Sequence, residues 1–389
     1  MKGEREKLKL RKIQIVTLLT ALGICILFSS FGNATMLDKK AYVHAMGIDR
    51  TEGEYKVSLQ VFKPQGSGSD TPVDIVHTNM QVVKTKGKTI REALDNAQYR
   101  LGKEIFLGHL QLMCFGKTVD FSNPEELFGF CLKDKTVFLG TKICLAETTA
   151  EELMNTEISR GLMTAESFMN TITMNVDNST TLDCEMIDFL SCIESPQYLA
   201  MPVLSVVKNE DDKEQKAEGE NKEEEQDMEI EIKNTALVKH GKIIEERLSQ
   251  DEAEAVAWLT GKAKKSDFVI DTSGEKINVR LTDDGTRIKL KNENGKIKYI
   301  AEIKMVAKPS KDIKNNSDTK KIEEKVEERM EKIFEDTELK TLRENEMDVF
   351  EIWKLLRHYY PKSYLKYKDK LNDIYDATVF ETKIDVRVM

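Results

Sequence analysis

Six cysteines are spread over 389 residues, and no two of them are spaced Cys-x-x-Cys. That is too thin for a disulfide scaffold and offers no redox or zinc-knuckle spacing. The five histidines, His44, His77, His109, His240 and His358, stand far apart, with neither an HExxH pair nor a His–Cys cluster. A zinc protease or a structural zinc site is therefore not written into the sequence. Also missing are a P-loop, a Gly-x-Gly-x-x-Gly turn and a Gly-x-Ser-x-Gly elbow, the frames of nucleotide binding and serine-hydrolase chemistry. Positive charge is in deficit: the net charge is −9, and no basic stripe is interleaved with aromatics. This argues against a nucleic-acid partner. Long apolar runs are scarce as well, with one exception.

That exception is Ile13 to Phe31, which follows a basic stub of Lys2, Arg5, Lys7, Lys9, Arg11 and Lys12. A bilayer core needs about 20 apolar residues, so the run just suffices to span it. Basic flanks stay on the cytoplasmic side, which sends the remaining chain outward. The run is either an uncleaved anchor or a signal peptide processed near Cys25 or after Gly32-Asn33-Ala34. Cys114, Cys131, Cys144, Cys184 and Cys192 lie in apolar contexts and form an odd set. They read as buried free thiols, which pack as small hydrophobes.

After the run, Tyr42 to Asp49 and Glu54 to Phe62 read as strands turning at Arg50-Thr51-Glu52-Gly53. Gln65 to Ser69 is a loop. Lys88 to Leu101 reads as an amphipathic helix, opened by Thr89 and Glu92 and stopped by Gly102. His109 to Phe115 and Thr141 to Ala146 read as strands, with helices at Glu125–Cys131, about 150–159 and 183–194. Alternating strands and helices of this kind imply an α/β layer.

From Asn209 to Glu231 the composition turns acidic, with hardly an apolar side chain before Met228. Such a segment cannot offset its ordering entropy and reads as a mobile linker. A calcium-binding tail is the rival, but the oxygen spacing of a calcium loop is missing. Beyond it, Glu229 to Val238 reads as a strand turning at His240-Gly241, and Ser249 to Glu252 as a capping box. A meander of Lys276–Leu281, Thr286–Leu290 and Lys296–Met305 is expected, with hairpins at Asp284-Gly285 and Asn294-Gly295. A helix from Asn316 to about Asp336 turns Ile322, Val326, Met330 and Ile333 inward. Another runs from about Glu346 to Tyr360, and a strand with Thr382, Ile384, Val386 and Val388 closes the chain.

The expected architecture is a multi-domain exported protein, α/β and then α+β, with mixed sheets flanked by helices. Residues 1–34 are the basic stub and signal or anchor helix. Residues 35–207 form an α/β domain divisible into two subdomains, 208–228 the acidic mobile linker, and 229–389 an α+β domain. No catalytic, cofactor-binding or metal-ligating set emerges. His109, after Gly108 at the entrance to an apolar strand, reads as a core or strand-end histidine. Asp183, Glu185 and Asp188 read as a solvated face, and Trp258 and Trp353 as core.

Several motifs, in order, have a familiar pattern. They are Leu37-Asp38-Lys39-Lys40, Gly47-Ile48-Asp49, and the stretch from Gly87-Lys88-Thr89-Ile90-Arg91-Glu92-Ala93 through Phe106-Leu107-Gly108-His109-Leu110 to Phe115-Gly116. Later come Ala236-Leu237-Val238 with Gly241-Lys242, Leu248 to Ala253, Asp348-Val349-Phe350 and Tyr359-Tyr360-Pro361. In these the chain resembles the Ger(x)C family, the C subunits of spore germinant receptors, along nearly the whole exported part. It departs from the family at Met36 and Leu37, at Glu351 where a glycine is common, and at Tyr364 and Leu371 where tryptophan is frequent. The family's lipobox places a small residue before its lipidated cysteine. Here Ile24 precedes Cys25, so Cys25 is a poor lipid anchor and the apolar run is expected to do the holding.

The resemblance implies a non-catalytic, membrane-tethered subunit of a nutrient germinant receptor, needed for germination through receptor assembly and signalling. It implies membrane-embedded A and B subunits and membrane lipid as partners, with the bulk of the chain on the outer face of the spore inner membrane. One rival is an anchored extracytoplasmic solute-binding protein, which requires a preformed cleft with converging polar groups. An extracytoplasmic hydrolase is the other, and it lacks its motifs.

Overall fold

The computed structural model describes residues 15–20, 23, 39–62, 80–156, 164–191, 198–208, 228–239, 241–272, 274–293, 296–313, 315–368 and 370–389. Within the apolar run, residues 15–20 and 23 are helical. Cys25 and its neighbours, Met36 and Leu37, the loop 65–69, His77, Cys192, the acidic segment 209–227, His240 and Asn294-Gly295 lie outside the described residues. Among the described residues no helix is long and apolar enough to cross a membrane.

The first sheet begins with β1 (Lys40–Thr51), β2 (Glu54–Phe62) and β3 (Met80–Gly87), paired antiparallel in sequence. The β1–β2 turn falls where the sequence places it, with Glu52 and Gly53 at φ 55 and 82. A helix, Ile90–Leu101, then runs back along the sheet. Thr89 accepts from the Glu92 N–H, and Gly102 at φ 63 ends the helix. Next come β4 (Glu104–Phe106), beside the start of β1, then β5 (Leu112–Phe115) and β6 (Lys142–Ala146), with the helix Pro124–Lys133 between them. Helices Ala150–Asn155, Thr164–Asp177 and Met186–Ser191 lead to β7 (Tyr198–Lys208).

β1, β5, β6 and β7 run parallel. Parallel strands joined by helices are covered on both faces, so their side chains are apolar without alternation. Met113, Phe115 and Leu145 therefore pack on one face, and Leu112, Cys114 and Cys144 on the other. The expected strand from His109 begins only at Leu112, because 107–110 is a turn closed by the Leu110 N–H on the Leu107 carbonyl.

β8 (Met228–Lys239), expected to open the later domain, hydrogen-bonds instead to β7, with Lys208 opposite Met228, and continues into β9 (Lys242–Leu248). The full order is β3-β2-β1-β5-β6-β7-β8-β9. The acidic segment thus joins two strands that are already neighbours.

The second sheet follows the helix Gln250–Leu259, whose start carries the expected capping box of Ser249 and Glu252. It comprises β10 (Lys265–Thr272), β11 (Glu275–Asp283), β12 (Arg287–Glu293), β13 (Lys296–Pro309) and β14 (Val379–Val388). The simple meander is not what forms. β12 and β11 lie end to end along one edge of β13, opposite 296–302 and 305–309, while β14 runs parallel on the other edge. Asp284-Gly285 is therefore a joint between two strands of the same direction rather than a hairpin. The long β13 supplies enough ladder for both.

Helix Asn316–Glu338 covers this sheet, burying Ile322, Val326, Met330 and Phe334. Ile333, expected inward, is only partly buried on the flank. The helix expected from Glu346 begins at Ile352, after a π-helical stretch at Leu339–Glu344, and short helices Pro361–Tyr367 and Leu371–Ala377 complete the layer. The architecture is mixed: among the described residues, two sheets of nine and five strands are flanked by helices.

Candidate functional site

The sequence motifs shared with the germinant-receptor pattern fall at packing and capping positions. Asp49, at the end of Gly47-Ile48-Asp49, is buried and receives the Ala150 N–H at 3.0 Å and the Glu151 N–H at 2.8 Å. It thereby satisfies the open donors at the start of helix Ala150–Asn155. Burial raises its pKa against those two bonds. The contact is tight. A Cβ on Gly116 would lie 1.8 Å from Asp49 Oδ1, and one on Gly47 would lie 2.7 Å from Met154 Cγ.

Asp348 repeats the device in the second half. Its carboxylate receives the Ile352 and Trp353 N–H groups, each at 2.9 Å. Complete burial pushes its pKa up to about 6, against those bonds. Glu351, where the family commonly has glycine, sits at φ 58 and ψ 31. That left-handed conformation is the reason glycine suits the position.

Three sets of side chains could carry a function. The first is a histidine pair that spacing did not reveal. His44 on β1 and His109 in the turn before β5 stand edge to face at 5.6 Å, with Tyr42 and Phe106 at 5.3 and 5.8 Å from His109. The parallel pairing of β4 and β5 with β1 brings them together. His109 is exposed rather than core, and His44 is half-buried. Burial, and then the charge of His109, lowers the His44 pKa. Among the described residues no group of three or more His, Cys, Asp or Glu could hold a metal ion.

The second set is the acidic trio. Asp183 and Glu185, expected to be solvated, both bind Lys142 Nζ, at 2.5 and 2.6 Å, and Asp188 accepts from the Glu185 N–H. They serve as a brace. Cys114, Cys131 and Cys144 are buried free thiols, Cys184 is buried as well, and burial raises the pKa of Cys114 and Cys131, the latter to about 12. Thiols held protonated in this way are poor nucleophiles.

The third set is a cleft of about 370 Å³ between the two sheets, walled by Cys184, Tyr198 and Ala200 on one side and Ala257, Lys262 and Trp353 on the other. The size is that of a small-molecule site. Its charges, however, are engaged with one another. Lys262 binds Glu351 at 2.8 Å, Lys354 binds Glu351 at 3.4 Å, and Lys264 binds Asp177 at 2.6 Å. Burial opposes ionisation of Glu351, but Lys262 and Lys354 outweigh it and hold its carboxyl below the usual range. The Tyr198 hydroxyl donates to the Glu346 carbonyl, locking the two sides of the cleft together. Trp353 is buried at this wall. Trp258 is core, its indole N–H on Ser266 Oγ at 2.9 Å. His358 is exposed beside Tyr359.

With this geometry described, known proteins supply the context. Residues 33–206 match the family described as spore germination protein N-terminal domain, and residues 233–389 match spore germination B3/GerAC like, C-terminal. The chain belongs to the GerAC-like family of germinant-receptor C subunits. It is similar to spore germination protein B3 of Bacillus subtilis (strain 168), at 21% identity over 91% of each chain. It is also similar to the putative spore germination protein YfkR of the same organism, at 22% identity over 72% of this chain and 71% of that one. The crystal structure of the GerBC protein shares the fold, with a TM-score of 0.52 at 17% identity, covering 88% of this chain and 96% of that one. The Ger(x)C resemblance and the mixed, two-sheet fold class are thus established for this chain.

Sequence reading missed the capping roles of Asp49 and Asp348 and the meeting of His44 with His109. The one available signal was an aspartate four residues before an apolar helix, as in Asp348 to Ile352.

Proposed function

We propose that this chain is the membrane-tethered, non-catalytic subunit of a nutrient germinant receptor. In this reading the basic stub and the Ile13–Phe31 run hold it at the outer face of the spore inner membrane, and it acts by assembling with membrane-embedded A and B subunits. The observation that carries the reading is the match of both halves to the receptor C-subunit family. The use of the shared motif residues as caps and close packing supports it, because a scaffold needs a fixed surface and no reacting groups. Affinity purification of the tagged full chain from solubilised spore inner membranes tests it. Co-recovery of two multispanning proteins in constant ratio is the expected result.

The cleft favours a second reading, a tethered solute-binding protein. Its paired lysines and carboxylates leave less to converge on a ligand than such proteins present. Recovery of the chain alone, with a small nutrient bound, would decide for that reading.

A further inference from the structure

The parallel strands of the first sheet give it two unlike edges. At the edge where β1, β5 and β6 begin, large hydrophobic side chains stand in water. Tyr99 is 84% exposed, Phe138 69% and Leu132 54%, with Leu139 and Ile187 beside them. The topology collects them there. Helix Ile90–Leu101 ends at this edge, where the Ile105 N–H meets Gln98 Oε1 at 3.1 Å. Helix Pro124–Lys133 ends there too, and the loop after it reaches β6 with the Lys142 N–H on the Gln111 carbonyl at 2.9 Å. The Ile187 N–H bonds the Leu139 carbonyl at 3.0 Å, joining the last of the group to the rest.

Exposed Lys103, Lys133 and Lys135 surround these side chains. Of the carboxylates at this edge, Asp183 and Glu185 are taken up by Lys142, while Glu104, next to Lys103, is exposed. The opposite edge is formed by the turns at 51–54, 87–89, 116–123 and 147–149. It carries none of the large exposed hydrophobics and presents tips such as Glu52, Lys88 and Lys117.

The occupant of the apolar edge follows from where the chain comes from. Phe31, the last residue of the apolar run, is nine residues before Lys40, where β1 starts at this same edge. Fully extended, nine residues reach about 32 Å at most. The twelve residues of β1 carry the opposite edge about 40 Å farther away. Amphipathic aromatics and snorkelling lysines are the side chains that settle at the headgroup layer, and lysines also favour an anionic leaflet.

We infer that the edge bearing Tyr99, Leu132, Phe138 and Leu139 rests on the lipid headgroups and sets the orientation of the subunit on the membrane. This rests on the tethered reading above.

The test uses the full chain, with Cys25 and Cys192 replaced by serine, in vesicles of phosphatidylcholine and phosphatidylglycerol containing a headgroup-nitroxide lipid. A fluorophore is attached at Tyr99→Cys, Phe138→Cys or, as the control on the opposite edge, Lys88→Cys. All three are surface positions, so the substitutions do not disturb the core. Nitroxide quenching at 99 and 138 several-fold greater than at 88 is expected. A chain that floats with the vesicles but shows equal quenching at all three positions overturns the orientation and leaves the tether standing. A chain that does not float removes the tether and the orientation together. Labels at 99 and 138 that escape the lipid nitroxide, yet become shielded from water when the membrane subunits are added, overturn the inference in favour of a protein interface.

Discussion

Both halves of the molecule anchor a helix with a buried aspartate, and they do it under different conditions. Asp49 sits against Gly116, where no side chain could fit, and holds a short helix to the first sheet. Asp348 sits in the second half, fully enclosed, and caps the start of helix Ile352–Tyr359. The first depends on shape, because a methyl group at 116 would take its space. Burial raises the pKa of both carboxyls, and in the second it pushes the pKa up to about 6, so ionisation matters most there. Steric faults should therefore damage the N-terminal half most, while pH should act on the C-terminal half.

The largest effect expected is from Gly116→Ala. The new methyl meets Asp49 Oδ1 and must displace the cap, combining overpacking with two orphaned buried N–H groups, a loss of about 3–4 kcal/mol. Chemical denaturation of the variant would show it, and a change of under 1 kcal/mol would mean that the site is loose. Next is the pH response of Asp348. Its folded-state pKa lies above the unfolded value of 3.8. A carboxyl of that kind binds its proton more tightly when folded, so its contribution is fully present below about pH 4 and is lost as the pH rises to about 6. The span is about 3 kcal/mol, at 1.36 kcal/mol per pKa unit. Asp348→Asn should flatten the stability–pH curve over that window, whereas Asp49→Asn should leave the window in place.

A smaller loss is expected for Trp258→Phe, which removes the indole N–H bond to Ser266 Oγ inside the second core. A cost of about 1–2 kcal/mol would fit a buried neutral hydrogen bond, measurable as a lower melting temperature. The smallest is for replacing 209–227 by Asn-Gly. Lys208 and Met228 already face each other across the ladder, so a tight turn joins them without moving either strand. A change within about 0.5 kcal/mol is expected. A drop of many degrees in melting temperature would show that the acidic segment takes part in the fold.

How much of this was legible follows from the range of the forces involved. Local signals were read well. Thr89 and Gly102 bracket a helix as their chemistry requires, Ser249 and Glu252 cap another, and β2 spans Glu54–Phe62 as its alternation indicates. What escaped is long-range. Asp284-Gly285 is a hairpin signal by composition, but the length of β13 decided that β11 and β12 line up instead. β8 reads locally as the start of something new, yet its ladder partner β7 lies across the acidic segment. Likewise, His44 and His109 meet only because β5 lies beside β1. Spacing along the chain could not disclose that.

That histidine pair is also the place where chemistry would be sought if the subunit were an enzyme, which makes it the most direct test of the account. The measurement is the nutrient-germination rate of spores carrying His44→Gln together with His109→Gln, with subunit abundance quantified in the same spores. Glutamine keeps hydrogen-bonding capacity and removes acid–base function near neutral pH. A subunit that works by assembly predicts normal abundance and a rate within about twofold of wild type. Normal abundance with a rate lower by a factor on the order of 100, the usual scale for losing a general base, would contradict it.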